Sequence, residues 1–116
     1  MEYPLVSVVI PVYNMEPFLG ETLDSVLASD YPSLEVVVLD DGSVDASYAL
    51  ARQYAEKDGR VHVYTQLNMG VSAARNRAIS LAKGEFILPV DADNKISREF
   101  IHNAVNVICK MKRLKL

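Results

Sequence analysis

Short apolar runs alternate along this chain with longer segments that are apolar at every third or fourth residue. The short runs are rich in valine and isoleucine and occupy residues 6–12, 34–39, 61–66 and 86–90. Their length and composition are typical of β-strands, and the spacing in the longer segments is typical of helices with one apolar face. The pattern therefore predicts a repeated strand–helix–strand organisation.

Four strands joined by helices form an open, mostly parallel sheet when each crossover is short and right-handed. We predict a Rossmann-like α/β fold with strand order 3-2-1-4 and helices on both faces. Ligands of such sheets bind beyond the carboxyl ends of the strands, where the strand order reverses. In this chain that edge carries Tyr13 and Asn14, Asp40 and Asp41, and the stretch 91–93.

Local signals predict where the helices begin and end. Asn14, Asp45 and Ser97 are suited to cap the helices that follow them, because their side chains accept hydrogen bonds from free backbone amides. Gly84 is expected to be the C-cap of the helix predicted over residues 71–83.

Composition limits the class of protein. Half of the residues are apolar, which is enough for one domain over residues 1–116 with a buried core. The net charge of −3 gives no general attraction to nucleic acid. Cys109 is the single cysteine, so no internal disulfide forms, and the cytoplasm is the expected compartment. No secretory leader or membrane-spanning stretch of about 18 apolar residues is evident.

Asp91 and Asp93 are two residues apart after the fourth apolar run. In extended backbone their side chains point to the same side, roughly 6 to 7 Å apart. A divalent cation would remove the repulsion between them, and Mg²⁺ commonly binds one or two carboxylates together with substrate phosphates. The alternative is a solvated turn that caps the following helix.

Asp40 and Asp41 are adjacent, so they face opposite ways and only one can reach the ligand edge. A carboxylate there accepts hydrogen bonds from a base N–H or a ribose hydroxyl, and it does not suit a phosphate. The alternative is a turn whose side chains bond to backbone amides. For Ser43 and Asp45 we favour that structural role.

Arg75 and Arg77 lie in the first turns of the third predicted helix, where a cation is mildly disfavoured by the helix dipole. We expect a ligand diphosphate or an acidic loop to compensate Arg75. For Arg77 a surface position beside a carboxylate is favoured. Asn68 and Gly70 are turn formers first and ligand contacts second.

Together these stretches resemble one family. VSVVIPVYN (6–14), LDDGSVD (39–45), NMGVSAARN (68–76) and DAD (91–93) follow the order and spacing of the family 2 glycosyltransferases with a GT-A fold. The resemblance runs from about residue 5 to about residue 100 and covers the family's nucleotide-sugar-binding half.

The resemblance implies an inverting transferase of cell wall or polysaccharide biosynthesis. It would move a sugar from a nucleoside diphosphate sugar, often UDP-linked, to a saccharide, lipid or protein acceptor with Mg²⁺ or Mn²⁺. Carried over by position, the nucleotide-binding residues are Pro11, Val12, Tyr13, Glu16, Asp40, Asp41, Asn68, Arg75 and Asp91. The metal would be held by Asp91 and Asp93.

The chain departs from the family pattern at two positions and in length. Ala78 and Asn94 stand where members often have Gly and Asp, with expected effects on packing and on the metal site.

The acceptor half, which carries the general base, is expected after residue 100. We therefore expect donor binding with poor transfer, and self-association through a truncated apolar face. The basic stretch 110–115 is expected to be a solvated helix end, with contact to the inner membrane face as the alternative.

Three other classes remain as alternatives. A phosphoacceptor receiver module needs its paired acids after the first strand, whereas Asp40 and Asp41 follow the second. A nucleotidyltransferase usually has a Gly-rich basic loop after the first strand, where this chain has PVYN at residues 11–14. A non-catalytic nucleotide-binding or scaffold module is compatible with every motif.

Overall fold

The computed structural model describes residues 3–114, which fold into four strands and four helices that alternate along the chain. The elements in chain order are β1 (Val6–Val12), α1 (Glu16–Leu27), β2 (Leu34–Asp40), α2 (Ser47–Lys57), β3 (Val61–Thr65), α3 (Val71–Leu81), β4 (Phe86–Pro89) and α4 (Phe100–Leu114).

The four strands form one parallel sheet in the order β3-β2-β1-β4, as the sequence predicts. Every residue of β1 and of β2 is buried. Most of their side chains are apolar on both faces, as expected for parallel strands that helices cover from both sides. The order reverses beside β1, so the carboxyl ends of β1, β2 and β4 open onto a common edge.

The helices divide unequally between the two faces of the sheet. One face packs against α1, α2 and α4, through Leu23, Ala51 and Ile101 among others. The other face packs against α3, which contributes Ala74 and Ala78, both fully buried. Small side chains let the helix approach the sheet closely. Ala78 stands at the position where members of the resembled family often have glycine, and it belongs to this apolar layer.

A buried polar cluster lies at the opposite end of the sheet from the common edge. Glu35 of β2 accepts hydrogen bonds from Ser7 Oγ at 2.5 Å and from the Lys83 backbone amide at 2.7 Å. Ser7 Oγ in turn accepts the Gly84 amide at 2.7 Å. Each of these donors thereby has a partner inside the protein, as buried polar groups require. The cluster ties the connection between α3 and β4 to the centre of the sheet.

Two expected caps are wrong. Asn14 does not cap α1, since its Oδ1 accepts the Val44 amide and its backbone has a φ of 52°. Gly84 is not the C-cap of α3, which ends at Leu81 with Ala82 as its capping residue. A Cβ at residue 84 would lie 2.5 Å from Ser7 Oγ, so close packing explains this glycine.

The last helix begins at Phe100, three residues after the expected cap Ser97 and not directly after it, and the Phe100 amide bonds to the backbone oxygen of Ser97 at 3.2 Å. The basic stretch 110–115 lies partly outside the described residues. In the part of the chain described, no helix is both long enough and apolar enough to span a membrane.

Candidate functional site

The loops after β1 and β2 are joined to each other by hydrogen bonds. Asn14 donates its backbone N–H to Ser43 Oγ at 2.9 Å, and Met15 donates to Ser47 Oγ at 2.9 Å. Asp45 accepts the Glu16 amide with one oxygen and the Ser47 amide with the other. These bonds confirm the structural role expected for Ser43 and Asp45, and they fix one wall of the common edge.

A cavity of about 370 Å³ opens at this edge between the carboxyl ends of β1, β2 and β4. Its walls combine apolar side chains with three carboxylates, those of Asp41, Asp91 and Asp93. The other lining residues are Pro11, Val12, Tyr13, Met15, Val71, Ala74 and Ala92. Mostly apolar walls with a few polar groups are typical of small-molecule sites. The side chain of Tyr13 is 45% exposed and lies at the cavity with its ring accessible.

Asp41 is the buried carboxylate of this cavity. Its Oδ1 accepts hydrogen bonds from Gln66 Nε2 and the Met69 amide, both at 2.8 Å. Its Oδ2 accepts the Gly70 amide at 2.9 Å and Asn68 Nδ2 at 3.2 Å. Burial alone would raise the pKa of the Asp41 carboxyl, but the bonds from Gln66, Met69 and Gly70 hold that pKa below its usual value. Asp41 is therefore ionised at neutral pH.

Asp40 faces away from the cavity, as the alternation of side chains in extended backbone predicts. Its Oδ2 accepts the Ser43 amide at 3.2 Å and Thr65 Oγ1 at 3.4 Å. Its Oδ1 is buried and has no hydrogen-bond partner among the residues that the structure describes. Asp40 thus supports the turn after β2, and the cavity is left to Asp41.

Asp91 and Asp93 both line the cavity, and Arg75 lies beside Asp91. The distance from Arg75 Nη2 to Asp91 Oδ1 is 3.6 Å, with the Asp91 side chain 62% exposed. An acidic loop therefore compensates this cation at the start of α3, as expected from the sequence. Asn94 Nδ2 lies 3.5 Å from Asp91 Oδ2, so this residue contacts the loop without adding a carboxylate.

The donor set suits a hard divalent cation in part. Within residues 3–114 no group of three or more His, Cys, Asp or Glu side chains is arranged to hold a metal ion. Mg²⁺ is commonly held by one or two carboxylates, so Asp91 and Asp93 are the candidate ligands in this cavity.

A second cavity, of about 640 Å³, adjoins the first at Asp91. It is lined by Arg75, Pro89, Val90, Asp91, Asn94, Lys95, Ile96, Ser97 and Phe100. Arg75 thus belongs to the second cavity, and its ion pair with Asp91 lies on the boundary between the two.

The structure brings together most of the residues singled out from the sequence. Pro11, Val12, Tyr13, Asp41, Asp91 and Asp93 line one cavity. Glu16 lies outside it and accepts the Ala46 amide at 3.0 Å. Asn68 does not line the cavity either, but its side chain donates a hydrogen bond to Asp41. Arg77 is exposed as expected, but it bonds to Thr65 O and Gln66 Oε1, and to no carboxylate among the residues that the structure describes.

Sequence reasoning did not identify several of the cavity residues. Met15, Val71, Ala74 and Ala92 carry no polar group, so nothing in a single sequence separates them from the core. Gln66, which does not line the cavity but bonds to Asp41, was not identified either. The one feature of the sequence that could have indicated it is its position directly after the third strand, at the same edge of the sheet as Asp41.

Comparison with known proteins defines the class. The model of the family described as "Glycosyl transferase family 2" matches residues 7–113. The chain therefore belongs to glycosyltransferase family 2. Bacillus subtilis EpsJ, an uncharacterized glycosyltransferase, is 43% identical over 94 residues, which are 81% of this chain and 27% of EpsJ.

Solved structures with bound nucleotide sugars share this fold. S. aureus TarS 1-349 in complex with UDP-GlcNAc superposes with a TM-score of 0.85 and 35% identity, over 91% of this chain and 31% of that one. The mannosyltransferase PcManGT from Pyrobaculum calidifontis, in complex with GDP-Man and Mn²⁺, superposes with a TM-score of 0.83 and 34% sequence identity, over 90% of this chain and 32% of that one. The sequence-based assignment to the GT-A glycosyltransferases is thus confirmed, and the chain spans about a third of these structures.

Proposed function

We propose that this chain forms the donor-binding part of a glycosyltransferase that takes its sugar from a nucleoside diphosphate sugar, with UDP as the nucleotide. The observation that carries the proposal is the cavity at the carboxyl ends of β1, β2 and β4, where an accessible tyrosine ring lies near three carboxylates. The complexes of TarS with UDP-GlcNAc and of PcManGT with GDP-Man support it.

In this proposal the nucleoside lies against Pro11, Val12 and Tyr13, and Asp41 accepts a hydrogen bond from the base or the ribose. The four acceptor positions of a carboxylate are already used by protein donors at Asp41. The longest of these bonds comes from the exposed Asn68 side chain. A ligand N–H or O–H would therefore take the place of Asn68.

Asp91 and Asp93 would hold Mg²⁺ or Mn²⁺ together with the diphosphate. When bound, the cation neutralises negative charge that develops on the departing diphosphate. Arg75 lies 3.6 Å from Asp91 and adds a fixed positive charge on the same side. The contribution of the chain is then to orient the donor and stabilise the leaving group electrostatically.

Direct in-line attack by the acceptor hydroxyl would invert the anomeric carbon, and it requires a base to take the hydroxyl proton. Asp41 is occupied by four donors, Asp91 is paired with Arg75, and Asp93 is assigned to the cation in this proposal. We therefore propose that the base comes from outside this cavity, so that the chain binds donor and transfers sugar poorly. Efficient transfer by the chain alone to an added acceptor would refute this part.

The test of the donor site is calorimetric titration with UDP in the presence of Mn²⁺, in EDTA, and with Asp93→Ala. We expect binding in Mn²⁺ that weakens at least tenfold in EDTA or in Asp93→Ala, since a cation held by two carboxylates loses one of them. Glu56→Ala, which removes an exposed carboxylate of α2, is the control and should bind as the unaltered chain does. The proposal fails if neither UDP nor GDP nor dTDP binds.

Two further expectations stay predictions. Self-association is expected through exposed apolar side chains of α4, among them Val107 and Met111, and sedimentation over a range of concentrations would measure it. The compartment is expected to be the cytoplasm, with a peripheral position at the membrane face.

A further inference from the structure

Gln66, the residue directly after β3, connects the carboxylate of the cavity to α3. Its Nε2 donates a hydrogen bond to Asp41 Oδ1 at 2.8 Å, and its Oε1 lies 3.4 Å from Arg77 Nη1. Its backbone amide donates to the Asp40 carbonyl oxygen at 3.0 Å. The side chain is half-buried, and both of its ends are in use.

The chemistry of the two partners fixes the orientation of this amide. A carboxylate only accepts hydrogen bonds, and a guanidinium only donates them. The NH₂ group of Gln66 must therefore face Asp41, and its oxygen must face Arg77. Arg77 also donates to the Thr65 carbonyl oxygen at 3.1 Å, so the guanidinium is held at the end of β3. Because the backbone is held as well, the amide reaches Asp41 from a fixed direction.

We propose that Gln66 is a positioning residue for nucleoside recognition, which acts by holding the Asp41 carboxylate in a fixed orientation. The inference rests on the proposed function, since it needs Asp41 to bind the nucleoside. Among the donors to Asp41, Gln66 offers a short bond from a half-buried side chain, whereas Asn68 is exposed and its bond is longer. The other two donors are backbone amides, which substitution does not remove.

The first arm of the test replaces the amide with an apolar side chain. Gln66→Leu removes the donor to Asp41 and leaves the backbone bonds in place. We expect its affinity for UDP in Mn²⁺ to fall about tenfold at pH 7.5, the usual effect of losing one hydrogen bond to a charged group. Gln53→Leu makes the same change at an exposed position of α2 and should leave affinity unchanged.

The second arm uses pH to separate positioning from packing. Gln66→Glu sets a carboxylate against Asp41, and two carboxylates at this distance repel unless they share a proton. We expect its affinity to be lost at pH 8 and to recover as the pH falls towards about 5.5, because the introduced carboxyl, once protonated, again donates to Asp41. The other charged or titratable groups around this pair are Arg77 from α3, Asp40 from β2, and Tyr13, Asp91 and Asp93 across the cavity.

Affinities are taken relative to Gln53→Leu at each pH, which cancels the titration of UDP itself. Recovery of Gln66→Glu at low pH together with weak binding by Gln66→Leu supports the inference. Equal affinity losses at every pH in both variants would indicate packing only and would overturn it. Unaltered affinity in both variants would overturn it too. In that case UDP binding by the unaltered chain would still support the proposed function. If Gln66→Leu does not fold, the pH series on Gln66→Glu decides alone.

Discussion

Tyr13 presents an aromatic ring, 45% exposed, beside the buried carboxylate of Asp41. Stacking of a base on an aromatic ring contributes about 1 to 3 kcal/mol. We expect Tyr13→Ala to weaken UDP binding roughly tenfold and Tyr13→Phe to retain it, since the ring and not the hydroxyl makes the contact. Calorimetric titration measures both. Tyr48→Ala, at a half-exposed tyrosine of α2, is the control, and equal affinities of Tyr13→Ala and Tyr48→Ala would contradict the assignment.

Single residues were predictable where the backbone geometry is simple. Alternation of side chains in a strand showed that only one of Asp40 and Asp41 can reach the cavity, and the structure assigns that position to Asp41. The Asp41 donors could not be predicted, because they come from a loop about 25 residues further along the chain. A contact between distant loops depends on how the strands pair, and no local pattern in the sequence carries it.

At the scale of elements, the connection between α3 and β4 shows how packing replaces local signals. Gly84 follows a helix, which locally predicts a cap, but it packs against β1 and has no positive φ. The strand β1 was predictable from its apolar run. The close approach of another segment to Ser7 was not, since it depends on the hydrogen bonds of Ser7 and Glu35 across the sheet.

This close approach predicts a large effect of a small substitution. A Cβ at residue 84 would lie 2.7 Å from Ser7 N and 2.8 Å from the Leu5 carbonyl oxygen, both backbone atoms. We expect Gly84→Ala to lower the free energy of unfolding by about 1 to 3 kcal/mol, the usual cost of overpacking. Urea denaturation measures it. Gly59→Ala is the matched control, because a Cβ there meets nothing within 4 Å, and equal stabilities of the two variants would contradict the prediction.

At the scale of the whole molecule, the strand order and the position of the site followed from the alternation of strands and helices. Right-handed crossovers leave few arrangements for four parallel strands, and each places the loops after β1, β2 and β4 at one edge. The same rule divides the first three helices between the two faces, because the crossovers through α1 and α2 run one way along the sheet and the crossover through α3 runs back. The face taken by α4 was not predictable in this way, since α4 does not connect two strands of the sheet. Small residues such as Ala74 and Ala78 set how closely α3 packs on its face, and the crossover rule does not specify that distance.

The loops that form the site also make the fold sensitive to acid. Burial raises the pKa of Asp45, but hydrogen bonds from Ser47 and from backbone amides outweigh it and leave that pKa below its usual value of 3.8. The pKa of Asp41 is lowered as well. A carboxyl whose pKa is lower in the folded chain than in the unfolded one stabilises the fold above the unfolded pKa. That stabilisation is lost as the pH falls through the folded pKa.

We therefore expect the free energy of unfolding to fall as the pH drops below about 3.8, and part of this fall to vanish in Asp45→Asn. At pH 7 the variant should be less stable, since an amide accepts the Glu16 and Ser47 amides less well than a carboxylate does. At pH 3 the two chains should approach each other in stability, because the carboxyl is then largely protonated in the unfolded chain and increasingly so in the folded one. Urea denaturation at pH 7, 4.5 and 3 measures the difference, with Asp93→Asn as the exposed control. A constant difference between Asp45→Asn and the unaltered chain at all three pH values would show that Asp45 contributes through shape and not through its charge.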